Sequence, residues 1–466
     1  MHHEGDAPKI ASLSGARRED KLGNSYAYYI FALLFCINFF YYFDRYLLAG
    51  AANNIARELH FGIEGIGYLA SAYLIFSTFG IIPLGMWADR TARRNIIALC
   101  VAIWGLSAIA TGLTWSLGTL FFWRVIGGIG EAGYGPASEV LISDFFGQSR
   151  SMRMLSWWSI ASLLGFMLGT ILGGALGGEG RWRWAFLLTG VIGLALAGLI
   201  WRIREPADTG QSTEGVPQHK QVRERTSLVE SLCSFLTGWL SLLRIKSLLI
   251  VIIMQGGAWF VLYSTGIYLP TLLQQSDLFG LSSADAGLVS GLVGASAGIA
   301  GTLLGGYTTE LCSRRWSGAG LLIGGIAFLL SIPCMVGSIL IGLNGHDLVI
   351  SSALRFLVSL LLNVFEGVVL AVVQEIVPTA QRASALATFS LIATLLGEAF
   401  SSPLIGIVAT VIDPTHGQHF LQARAGYELG MALIYTCVPA LLIAGLAGLL
   451  GARLVKADKV TAQKPC

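Results

Sequence analysis

"GMWADRTARRN" at residues 85–95 and "GGYTTELCSRRW" at residues 305–316 are two versions of one short charged stretch. Gly85, Asp89, Arg93 and Arg94 in the first correspond to Gly306, Glu310, Arg314 and Arg315 in the second, each pair 221 positions apart. Arg90 adds a third arginine to the first copy. A second set of correspondences, Arg124 with Arg355 and Asp144 with Glu375, uses a spacing of 231. The chain is an internal duplication, with about ten residues added around the ninth of its apolar segments.

Those charges stand out because the rest of the chain has so few. Of 466 residues, 54% are hydrophobic and 12% charged, with mean hydropathy +0.69. The charged share is about half that of a soluble domain, too small to coat one in polar groups. An integral membrane protein is predicted. A net charge of +3 with no basic helical stripe argues against nucleic acid. Seven cysteines without metal spacing read as small hydrophobes, so neither a metal nor a disulfide framework is expected. The polar first 25 residues do not have the pattern of a cleaved signal. No GxxxxGK[ST] loop occurs, so no nucleotide or other cofactor is expected.

A span needs about 20 mostly apolar residues. Twelve are predicted, near 27–50, 64–87, 95–114, 116–141, 153–177, 184–203, 247–271, 285–308, 318–342, 347–375, 384–411 and 427–453. They divide the chain into a tail (1–25), a six-helix bundle (26–203), a linker (204–246), a second six-helix bundle (247–454) and a second tail (455–466). In the linker, Ser227 and Glu230 have capping-box spacing, and Leu228, Leu232, Phe235, Trp239 and Leu242 follow at helical intervals. A surface-lying amphipathic helix is expected there, the alternative being that it extends the seventh span or packs on the bundle.

Topology follows from Lys and Arg. Of 30 such residues, 23 fall on the side of the tails, 4 on the opposite side and 3 inside spans. The tails and linker are therefore predicted to be cytoplasmic. Both charged repeats follow an even-numbered span leaving toward that side. An acid at a helix C-terminus meets the negative end of its own macrodipole. Asp89 and Glu310 should each face a basic group or a neighbouring helix N-terminus instead. Gly85 and Gly306, one turn earlier, would let that neighbour approach. A contact of this kind can lock one conformation and be released in another. Parallel six-helix repeats with a site between them are the architecture of an alternating-access transporter.

Ionisable residues inside spans are functional candidates by default. "FFYYFDRYLLAG" carries Asp44 and Arg45, and "RVIGGIGEAGY" carries Arg124 and Glu131. Asp44 and Arg124 both lie about 6–8 Å from their span midpoints, toward the outer side, with Glu131 two turns below Arg124 on the same face. A neutral cluster of two acids and two arginines is possible. An arginine would take an anionic headgroup bidentately. An acid would take up a proton when it is buried or loses its arginine. The alternative is a purely structural ion-pair cluster. All seven histidines lie outside the spans, so carboxylates must carry any coupling proton. In the second half Arg355 repeats Arg124, but Leu362 stands where Glu131 would repeat. Glu366 and Glu398 are the acids there, and each either pairs with Arg355 or faces the cavity.

The charged repeats resemble the signature following helix 2 in the major facilitator superfamily, and its second-half echo. That resemblance implies an all-α fold of twelve helices in two pseudo-symmetric six-helix bundles. It also implies that Asp89 and its arginines stabilise an outward-open state. "GFMLGTILGG", with Gly165, Gly169, Gly173 and Gly174, is similar to the superfamily's antiporter motif, although Thr170 replaces its proline. Small-residue packing is the equal alternative. "YYFDRYLLAG" and "RVIGGIGEAGYGPA…ISDFF" resemble the Spinster branch. This implies a proton-linked transporter of lysophospholipid- or sphingolipid-like amphiphiles, with Asp44, Arg45, Arg124 and Glu131 as headgroup and proton site. A monomer in a bacterial inner membrane is expected. The alternative within the class is a carrier of drugs or small organic anions. An enzyme would need a nucleophile with its base, and the spans offer no such set.

Overall fold

The computed structural model describes residues 8–88, 91–178, 180–204, 246–313, 318–376, 382–413 and 425–462. The described residues form helices and connecting turns. In a bilayer every backbone N–H and C=O must be satisfied within the protein, and helices do this segment by segment. In chain order they are α1 (Pro8–Glu58), α2 (Ile63–Ala88), α3 (Arg93–Gly112), α4 (Leu117–Ala132), α5 (Tyr134–Leu176) and α6 (Arg181–Trp201). The second half continues with α7 (Lys246–Leu273), α8 (Ser283–Ser313), α9 (Ala319–Gly345) and α10 (Leu348–Ile376). Next comes α11, composed of Arg382–Thr394, a π-helical turn Leu395–Ala399 and Phe400–Ile412, and last α12 (Ala425–Ala462). Ten are long and apolar enough to cross a membrane. The interfacial helix expected at 227–242 lies outside the described residues, as do Asp89, Arg90, Arg314 and Arg315 and the side chain of Glu310.

Spans four and five are predicted at 116–141 and 153–177, and every residue from Tyr134 to Leu176, those between the two spans included, has helical backbone. A straight helix would set Tyr134 and Trp158 roughly 36 Å apart. Instead Trp158 Nε1 donates to Tyr134 Oη at 3.1 Å. The chain reverses between them, so the first part of α5 prolongs α4 past Gly133 and the second part is the fifth span. The start of α4 is fixed locally. Ser116 Oγ accepts from Thr119 N at 3.3 Å, and Ser116 N donates to Thr119 Oγ1 at 3.2 Å. That reciprocal cap sets the register that carries Arg124 and Glu131 inward.

Tyr26, near the start of the membrane-spanning part of α1, accepts from Arg204 N at 2.6 Å, so that part of α1 and the end of α6 share one end of the bundle. This is called the tail end below. The two bundles touch at the opposite end. Asn54 Nδ2 donates to Ser283 Oγ at 3.1 Å, and Thr410 Oγ1 to Glu64 Oε2 at 2.9 Å. Tyr263 Oη reaches Ala70 O at 3.3 Å. A Cβ on Gly67 would stand 2.6 Å from Tyr268 Oη, so only glycine fits that crossing.

The tail end differs. A Cβ on Gly85 or Gly306 would meet nothing within 4 Å. The close neighbour expected at these glycines is not found among the described residues in this conformation, in which the described inter-bundle contacts lie at the far end. The arginines beside Gly85 work within their own bundle. Arg93 pairs with Asp144, and Arg94 Nη1 donates to Ile203 O at 2.7 Å, tying α3 to α5 and to the end of α6. The helix-5 glycines do pack closely. A Cβ on Gly165 would lie 2.9 Å from Phe43 N, one on Gly169 2.9 Å from Phe43 Cα, and one on Gly173 3.1 Å from Gly50 Cα. Gly174 faces the second bundle instead, where a Cβ would lie 3.1 Å from Gly287 Cα. Three of the four thus pack on α1 and one on α8.

Candidate functional site

Two ion pairs join α1 to α4. Arg124 Nη1 donates to Asp44 Oδ2 at 3.2 Å, with both side chains at least 97% buried. Arg45 Nη2 donates to both Glu131 oxygens, at 3.0 and 3.2 Å. The four residues that the sequence singled out are thus brought together, as two pairs one above the other. Adjacent residues on α1 diverge by about 100°, while Arg124 and Glu131, seven apart on α4, share a face. Each α1 side chain therefore finds its own partner.

Exposure is graded. Asp44 and Arg124 are sealed, while the Glu131 side chain keeps 16% of its surface. A sealed charge without its partner is expensive, so the inner pair is locked more firmly than the outer.

Sequence reasoning missed the aromatic frame. The Arg124 guanidinium stands 4.5 Å from the Tyr73 ring centroid and that of Arg45 5.6 Å, so one ring from α2 serves both cations. Tyr42 adds a second contact to Arg45 at 5.3 Å. Beneath them Tyr41 packs on Trp104 and Tyr134, with centroids 4.6 and 4.7 Å away, and its hydroxyl donates to Gly130 O at 2.9 Å. Trp104 Nε1 and Asp44 Oδ1 are buried without a well-formed hydrogen bond. The "FFYY" run beside Asp44 is a visible signal for this frame, but Tyr73, one of two tyrosines in the apolar α2, is not.

The second bundle is built differently. Glu366 accepts from Gln255 Nε2 and Trp259 Nε1, both on α7. Glu398 lies in the π turn of α11, within electrostatic reach of Arg45 across the bundle boundary. Pro403 lacks an N–H for the carbonyl of Ala399 and its ring crowds that carbonyl, which widens the preceding turn. Gly397 lets the turn press on α7, where a Cβ would lie 2.6 Å from Gly256 O. Arg355 is 94% buried and pairs with neither acid, so that expected pairing is not found. Glu366 is eleven residues further along the same helix, roughly 16 Å by helical rise, and Glu398 lies on the π turn of α11, which packs on α7 and on α2 of the first bundle.

Comparison with known proteins places this geometry. Residues 34–297 match the family model described as Major Facilitator Superfamily. Protein spinster of Drosophila melanogaster is 26% identical over 413 residues, covering 88% of this chain and 66% of that protein. The sphingosine-1-phosphate transporter SPNS2 of Danio rerio is 25% identical, covering 80% of this chain and 74% of that protein. A crystal structure of a bacterial homologue of the human lysosomal transporter Spinster, inward-facing and unoccupied, superposes with TM-score 0.78 at 21% identity, over 95% of this chain and 99% of that one. Twelve helices in two bundles among the described residues, a matched family model over more than half the chain and a similar fold over 95% of it lead to one conclusion: the chain belongs to the Major Facilitator Superfamily of membrane transporters and is related to the Spinster proteins.

Proposed function

We propose that this protein is a secondary-active carrier of lysophospholipid- or sphingolipid-like amphiphiles, coupled to protons, with its tails in the cytoplasm of a bacterial inner membrane. The observation that carries the reading is the outer pair, Arg45 with Glu131, which is partly exposed and has Glu398 of the opposite bundle within electrostatic reach. A phosphate-bearing headgroup would bind the Arg45 fork. Glu131, losing its partner, would then take up a proton, since loss of a neighbouring cation favours the neutral acid. The inner pair, Asp44 with Arg124, would follow only as the bundles rock and water reaches it. Closure at the far end and separation at Gly85 and Gly306 support a cavity open to the tail end, inward if the tails are cytoplasmic. Apolar and aromatic side chains of α7, α8 and α11 suit an acyl chain, and the similarity to a sphingosine-1-phosphate transporter favours an amphiphile over a sugar.

The test is uptake of a radiolabelled lysophospholipid into proteoliposomes with and without a pH gradient. Wild type should respond to the gradient. Glu131→Gln should keep binding and lose that response, while Arg45→Ala should weaken anionic more than zwitterionic lipids. Normal, gradient-driven uptake by Glu131→Gln would overturn the proton assignment.

A further inference from the structure

Arg124 and Arg355 are each the eighth residue of their helix, α4 and α10, and stand at equivalent places in the duplicated bundles. Their surroundings have diverged. Arg124 has a carboxylate at 3.2 Å and a tyrosine ring beneath it. Arg355 has the Cys437 thiol nearby, itself 3.7 Å from the Ser264 hydroxyl, and no carboxylate partner among the described residues. The residue is 94% buried, and its Nη1 has no hydrogen-bond partner.

A guanidinium in such a place fastens no helix to another, so a structural strut does not explain it. Uncompensated burial of a charge costs several kcal/mol. The charge persists only if some functional state supplies the missing anion. We propose that Arg355 is the anion-receiving residue of a second binding post, in the second bundle, for a phosphate monoester group. A planar fork with unused donors matches the oxygens of phosphate. The neighbouring hydroxyl and thiol are neutral and leave the positive charge for the ligand. The lipid as bearer of that phosphate rests on the transport reading above; the anion post itself does not.

Thermal unfolding and binding titrations of the detergent-purified full chain test this. The probes are 1-oleoyl lysophosphatidic acid, a phosphate monoester, 1-oleoyl lysophosphatidylcholine, whose phosphate is masked, and inorganic phosphate. Arg355→Met should leave the ligand-free melting temperature unchanged or higher. It should weaken lysophosphatidic acid about tenfold or more and leave lysophosphatidylcholine unaffected. Should Arg355→Met fail to fold, Arg355→Lys, which keeps the charge and loses the fork, is read for the same selective loss. Competition by inorganic phosphate would mean that phosphate alone fills the post. Lack of competition beside that selective loss would mean that it is read only on a lipid. Unchanged affinity for lysophosphatidic acid, or equal loss for both lipids, overturns the proposal. If Arg355-dependent binding persists while proteoliposomes transport no lysophospholipid, the transport reading fails and the anion post stands.

Discussion

The two bundles descend from one repeat, yet they hold charge in opposite ways. The first closes its ionisable residues into bonded pairs, Arg124 with Asp44 and Arg45 with Glu131. The second keeps an arginine without a partner at Arg355, satisfies Glu366 with neutral donors, and places Glu398 on a widened turn. One sealed arginine is therefore held by an acid, and its counterpart is not. The same residue at the same register is ion-paired in one bundle and has no carboxylate partner among the described residues in the other, according to what its neighbours became.

The largest test of that contrast is stability. Arg124→Leu strands the Asp44 carboxylate in a sealed site and should cost about 3–5 kcal/mol, read as a large fall in melting temperature or loss of folded protein. Arg355→Met strands nothing and should be neutral or stabilising. The double change Asp44→Asn with Arg124→Leu should recover much of the loss, because no charge is left alone. Equal losses for Arg124→Leu and Arg355→Met would erase the distinction between the bundles.

The sequence made the charges conspicuous, because an arginine in an apolar span has few explanations. It therefore revealed the duplication, the spans and the four residues of the first cluster. Pairing was less legible. Asp44 and Arg45 are neighbours in sequence, and only the three-dimensional register sends them to different partners. Arg355 looked like a copy of Arg124, and nothing in its own helix announced the missing acid, since the partner of Arg124 lies 80 residues away. The residues between spans four and five read as a loop, yet they have helical backbone on both sides of the reversal. The contacts expected at Gly85 and Gly306 depend on which end of the bundles is closed, a property of the conformational state that one sequence cannot encode.

A middle-sized effect tests how the second bundle aims its acid. Pro403→Ala restores an N–H that can bond to Ala399 O, allowing the π turn to tighten to α-helix. Removing the extra residue of a π turn rotates the helix before it by about 100° relative to the helix after it. Glu398 should turn away from Arg45, so lysophospholipid uptake should fall severalfold while melting temperature holds or rises. Wild-type uptake by Pro403→Ala would mean that the turn does not aim Glu398.

The smallest effect concerns Glu366. Gln255 and Trp259 both donate to one of its oxygens, and a glutamine at 366 keeps an acceptor at that position. Unlike Asp44, it pairs with no cation among the described residues, so neutralising it strands none of their charges. Glu366→Gln should change stability by less than about 1 kcal/mol, the scale of one neutral hydrogen bond, and leave the pH response of uptake intact where Glu131→Gln abolishes it. A loss of pH response in Glu366→Gln equal to that of Glu131→Gln would place proton coupling in both bundles and remove the asymmetry drawn between them.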